Sequence, residues 1–178
     1  MKTRKVLLLY NSLDEESQQR LSALERPSFV GKHETPDSLN EMTFGELLQL
    51  KEMKTVKDMV VLPCAVLFGM GEMDIMKADY KQTFGFANFV MSEIVRINEL
   101  FAGISSEPTQ EEIQAGVEQL QYGDFGLIDY FAKRQGMSDH DDVLKLGWIR
   151  IYQCLKMDSE KIQYERRLNE IYSKKHGK

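Results

Sequence analysis

The sequence predicts a mainly α chain: a compact multi-helix domain behind a short N-terminal extension that includes a candidate β-strand. Three observations carry this. Beyond residue 40, apolar residues recur at spacings of three and four, the repeat of a helix face. Ser or Thr followed three positions later by Glu stands just ahead of several of these runs, as in capping boxes. The stretch "PSFVGKHETPDSLN" (Pro27–Asn40) gathers two prolines, a glycine and many short polar residues. It divides the chain into an extension at 1–36, with its linker at 27–40, and a helical main domain at 37–178.

Taken in order, "KVLLLY" (Lys5–Tyr10) is a short apolar run that reads as strand or helix, its length favouring strand. Ser12 and Glu15 form a capping box ahead of a helix that must end before Pro27. Thr43 and Glu46 repeat the box before "FGELLQLKEM". Thr55 opens "VKDMVVLPCAVLFGM", apolar on nearly every side and so a central helix, kinked or split by Pro63. The longest predicted helix is "TFGFANFVMSEIVRINELFAGI", with Phe84, Ala87, Met91, Ile94, Val95, Asn98 and Phe101 on one face and Gly103 as its stop. In "SEPTQEEIQAGVEQL" Thr109 and Glu112 form a further box, with Ile113, Val117 and Leu120 on one face. "FGLIDYFAKRQG" closes at Gly136, and "SDHDDVLKLGWIRIYQCLKM" and "DSEKIQYERRLNEIYSKK" complete the set.

A chain of 178 residues with 42% apolar side chains buries a core without metal or disulfide staples. Cys64 and Cys154 lie far apart in apolar sequence and read as buried free thiols. The net charge of −5 argues against broad nucleic-acid or anionic-membrane surfaces. "VLLLY" is too short for a signal segment, and nothing approaches the roughly 18 apolar residues of a membrane span. A cytoplasmic protein is expected.

Chemistry-bearing residues are few. "SDHDD" (Ser138–Asp142) concentrates carboxylates and a histidine, but neighbouring helical residues point about 100° apart and cannot readily grip one ion. Ser138 as N-cap, with Asp139, Asp141 and Asp142 in the positive first turn, accounts for the pattern. "FGMGEMD" has no third glycine and no following Lys-Ser/Thr, so Gly69 and Gly71 read as a helix end and turn. His33, His140 and His176 are scattered, and no catalytic motif is present. Trp148 reads as a core anchor. No catalytic residue, metal ligand or cofactor is therefore expected. Met70, Met73 and Met76 fill the core or form an adaptable partner-binding face. From Ser159 onward six basic residues (Lys161, Arg166, Arg167, Lys174, Lys175, Lys178) face three acidic ones, a net +3 against −8 for the remainder.

The stretch "MTFGELLQLKEMK" resembles a pattern in small proteins of tailed bacteriophages and prophages, where such a helix precedes a second, very apolar one. "PTQEEIQAGVEQLQYGDFGLIDYFAKRQGM", "LGWIRIYQCLKMD" and "YERRLNEIY" resemble the helical body of phage tail-assembly chaperones. Glu112, Ala115, Gly116, Phe125, Gly126, Trp148, Tyr164, Arg167 and Leu168 carry the similarity, which spans Met42 to Tyr172. The resemblance implies a non-enzymatic assembly or virion structural protein, a tail-assembly chaperone or a head–tail component. It would act in the host cytoplasm, or be incorporated in the virion, by binding other phage proteins: tape-measure, tail or connector subunits, or further copies of itself. Met70, Met73, Met76, Phe125, Tyr130 and Phe131 are the expected partner-binding residues. The alternative is a helical nucleic-acid-associated or regulatory protein using Arg166, Arg167, Lys174 and Lys175.

Overall fold

The computed structural model describes residues 1–104, 108–120 and 122–176, with the side chains of 118 and 176 excepted. Ser106, Glu107 and Lys178, read above as part of a helix start and of the basic end, lie outside the described residues. The described chain is mainly α. Its helices are α1 (Thr3–Leu9), α2 (Glu15–Ser22), α3 (Phe44–Lys51), α4 (Val56–Phe68), α5 (Glu72–Lys77) and α6 (Tyr80–Ala102), then α7 (Gln110–Gln114), α8 (Gly123–Gln135), α9 (His140–Leu144) and α10 (Trp148–His176). A two-stranded antiparallel hairpin, β1 (Phe29–Val30) and β2 (His33–Glu34), occupies the linker.

Local chemistry explains many of the boundaries. Thr43, Thr55 and Thr109 each accept the N–H three residues on, and Glu46, Asp58 and Glu112 reach back to the capping threonine's own N–H. Gly69 and Gly136 end α4 and α8 in the left-handed conformation that a side chain disfavours. Helix α4 runs through Pro63 unbroken.

The main core surrounds α3, α4, α6 and the start of α10. Trp148, Phe44, Phe86, Phe131, Leu47, Leu50, Ile75, Ile97 and Ile151 are its largest fully buried members. Backbone bonds from Phe44 N–H to the Leu146 carbonyl (2.7 Å) and from Trp148 N–H to that of Met42 (3.2 Å) clamp the α3 start against the α10 start. The Trp148 indole N–H donates to the Leu39 carbonyl at 2.8 Å, tying the linker's end into this core. The buried face of α6 holds Phe84, Ala87 and Ile94 as expected, but also Phe86, Val90 and Ile97, while Val95 is exposed.

Three sequence expectations are corrected. The run Lys5–Tyr10 is not a strand: it continues the helix α1 and a 3-10 turn at Tyr10–Ser12. Thr3 and Val6 are buried and Tyr10 stacks on Phe84, a helical spacing that seats one face on α5 and α6. Asp14, rather than Ser12, caps α2 by accepting the Ser17 N–H at 2.8 Å. The helix expected from Ser138 stops at Leu144, because the backbone around Gly147 pairs with Thr43 instead of coiling on. Past that break nothing interrupts α10, and the two final predicted helices are one of 29 residues, about 43 Å long.

The extension packs directly on the main domain. Val6, Leu21, Val60, Phe84 and Ala87 form a second, smaller core. Thr3 and Thr83 hydrogen-bond side chain to side chain at 2.9 Å, and Asn88 Nδ2 donates to the Leu21 (2.8 Å) and Leu24 (3.0 Å) carbonyls at the end of α2.

Candidate functional site

A hollow of about 730 Å³ lies between α1, the start of α4 and α5. Leu7 and Leu8 from α1, Val56 from α4, and Met73 and Met76 from α5 give it apolar walls. Helix α1 supplies this wall because its other face, Thr3 and Val6, is committed to the seam with α5 and α6. Helix α5 is anchored by Ile75, fully buried in the main core, which turns Met73 and Met76 outward. Leu8 and Met73 are 74% and 67% exposed and stand as two apolar lips.

The rim is charged. Lys57 and Glu72 pair at 2.6 Å across the α4 and α5 starts, and the carboxylate raises the lysine amine above its ordinary pKa. Arg4 and Lys77 also border the groove, with no ion-pair partner among the described residues. Such walls bind by area and fit, since thioether side chains adapt to irregular apolar surfaces.

The expected binding residues are only partly brought together. Met73 and Met76 share the groove; Met70 does not, lying beside the hairpin near Gly31 and packing on the main core. Phe131 is fully buried and cannot meet a partner, a correction with a helical cause: on α8 it shares a face with Leu127 and Ile128, which pack on the same core. Tyr130 projects from another side, its hydroxyl donating to Asp158 at 3.0 Å. Phe125 is exposed and lies against the His140 ring. Leu7, Leu8 and Val56 were missed; the apolar run in α1 was the available signal, obscured by its reading as a strand.

In the acidic stretch, Asp139 rather than Ser138 is the N-cap, accepting the Asp141 N–H at 2.9 Å. The Asp142 carboxylate accepts from Lys145, and His140 Nε2 lies 3.2 Å from Asp129. Among the described residues no three His, Cys, Asp or Glu side chains are grouped to hold a metal ion, and every buried side-chain nitrogen and oxygen has a hydrogen-bond partner. Cys64 is buried, its thiol pushed up to about 12 by desolvation; Cys154 is half-buried, and both are free. No helix among the described residues is long and apolar enough to cross a membrane.

At the basic end, Arg166 is engaged with Glu112 of α7 at 2.7 Å. Arg167, Lys174 and Lys175 are exposed on the distal half of α10, beside the exposed Tyr164, Ile171 and Tyr172. No family model matches the chain, and no curated protein or solved structure matches it significantly.

Proposed function

We propose that this chain is a non-enzymatic bacteriophage or prophage assembly protein, a tail-assembly chaperone or head–tail component, that works by binding other phage proteins. The observation that supports binding is the groove between α1, α4 and α5, whose lips Leu8 and Met73 leave apolar surface open to a partner. The phage class rests on the resemblance of Met42–Tyr172 to tail-assembly chaperones. Helix-in-groove docking suits such a surface, because apolar anchors on one partner helix fill the hollow between three helices. The test is co-expression with tape-measure, tail-tube and connector subunits from a tailed phage, followed by size-exclusion chromatography. Co-elution with one of them in defined stoichiometry is expected; separate elution from all of them contradicts the phage reading.

Arg167, Lys174 and Lys175 on α10, exposed and without an ion-pair partner among the described residues, favour a second reading, nucleic-acid association. On that reading duplex mobility changes at low salt and reverts in a variant with all three replaced by Gln. An unchanged duplex at low salt removes it.

A further inference from the structure

We infer that the groove's occupant is an amphipathic helix of a partner protein that carries acidic side chains beside its apolar face. This rests on the groove being the working surface proposed above, and adds the chemistry of what enters it.

Charge decides the sign. Lys57 and Glu72 neutralise each other at 2.6 Å, which leaves Arg4 and Lys77 as rim charges without an ion-pair partner among the described residues. The segment that supplies one wall, "MKTRKVLLLYN" (Met1–Asn11), holds three basic residues and no acidic one, on a chain whose net charge is −5. The groove is thus locally cationic on an acidic protein, and an acidic ligand is steered to it while like charges are turned away. The distal half of α10 from a second copy, itself net basic, is mismatched in sign.

Shape decides the class. The lips Leu8 and Met73 stand out from two different helices, α1 and α5, so an occupant must rise above the groove to cover them, as a helix does and a small buried ligand does not. Helix α1 spans seven residues, about 10 Å, which matches two turns of a partner helix with apolar anchors at i, i+3 or i+4, and i+7. Carboxylates flanking those anchors would meet Arg4 on one wall and Lys77 on the other.

The test uses two fluorescent peptides of about 18 residues, long enough to hold helix. Both carry Leu at i, i+3, i+4 and i+7; one has Glu and the other Lys at the flanking positions. Fluorescence anisotropy is read against the whole protein, the double variant Arg4→Glu/Lys77→Glu, and Met73→Asp. All three substitutions fall on exposed positions, and thermal melts check that each variant is folded. The acidic peptide is expected to bind the unaltered protein about tenfold more tightly than the basic one. That advantage should shrink with added salt and invert in the double variant. Equal binding of both peptides, lost for both in Met73→Asp, overturns the acidic preference while leaving the groove as the binding surface. Acidic-peptide binding that survives Met73→Asp places the peptide elsewhere and overturns the inference. So does binding of neither peptide; saturable binding of sodium dodecanoate in that case, read by calorimetry, would make an anionic amphiphile the ligand. The phage reading is decided separately, by co-elution.

Discussion

The main core and the N-terminal layer are joined to the same helix, α6, by different means. The core clamps α3 to α10 through backbone bonds and closes over Trp148, Phe44 and Phe86, with residues drawn from 30 to 151. The N-terminal layer contributes only Val6 and Leu21 to a second core of five buried apolar residues and leans on polar ties, Thr3 to Thr83 and Asn88 to the end of α2. The groove lies where the two meet. Its α5 wall is pinned by Ile75 in the main core, while its α1 wall belongs to the thinner layer. A rigid wall facing a more easily displaced one is suited to partners of differing contour, since local opening is least costly where few apolar contacts are lost.

This contrast can be broken from either side. The largest effect is expected for Trp148→Ala, which removes the buried indole and its bond to Leu39: about 3–5 kcal/mol of global stability, read as a shift in the urea midpoint. Next comes Gly85→Ala. A Cβ there would overlap the carbonyl oxygen of Glu25, where the chain crosses α6, and backbone must move to relieve it. A cost of about 1–3 kcal/mol is expected. Hydrogen exchange should quicken in α1 and α2 more than in α3; uniform quickening would mean that the two regions are one cooperative unit.

Asn88→Ala leaves the Leu21 and Leu24 carbonyls without their side-chain donor and should cost about 1–2 kcal/mol, again concentrated in α2. A smaller, pH-dependent effect is expected at Glu93. It accepts from Arg96 and from the Leu39 N–H, and the Arg96 guanidinium beside it holds its carboxyl below the usual glutamate value of 4.5. A carboxyl with a depressed folded pKa contributes stability in full above its unfolded pKa and loses it as pH falls through the folded one. Glu93→Gln should therefore lower the melting temperature at pH 7 and flatten the acid side of the stability curve below about pH 4.5. The thiols give the mildest probe: a maleimide should label half-buried Cys154 in the native protein well before Cys64.

What the sequence disclosed follows the range of the interactions involved. The boxes at Thr43–Glu46 and Thr109–Glu112 and the stops at Gly69 and Gly136 were legible because cap and helix lie within a few residues. Helix α1 was misread because a run of five apolar residues fits strand and helix equally; burial of Thr3 and Val6 against α5 and α6 decides for helix, and those contacts are some seventy residues distant. Phe131 was within reach, since Leu127, Ile128, Phe131 and Ala132 trace a helical core face that sets Tyr130 outside it. The break at Gly147 was not, because the pairing with Thr43 that causes it joins positions about a hundred residues apart. The groove itself needs α1, α4 and α5 together, and no local pattern announces that meeting.

The most direct measurement takes a subunit that co-elutes with the chain and reads its affinity for the double variant Leu8→Glu/Met73→Glu, alongside that variant's melting temperature. Both side chains are exposed, so the fold should melt as before. If the groove is the binding surface, the dissociation constant rises by about a hundredfold or more, as when a central apolar anchor pair is lost. An affinity equal to that of the unaltered protein, in a variant that melts normally, would place binding elsewhere on the molecule and contradict the account.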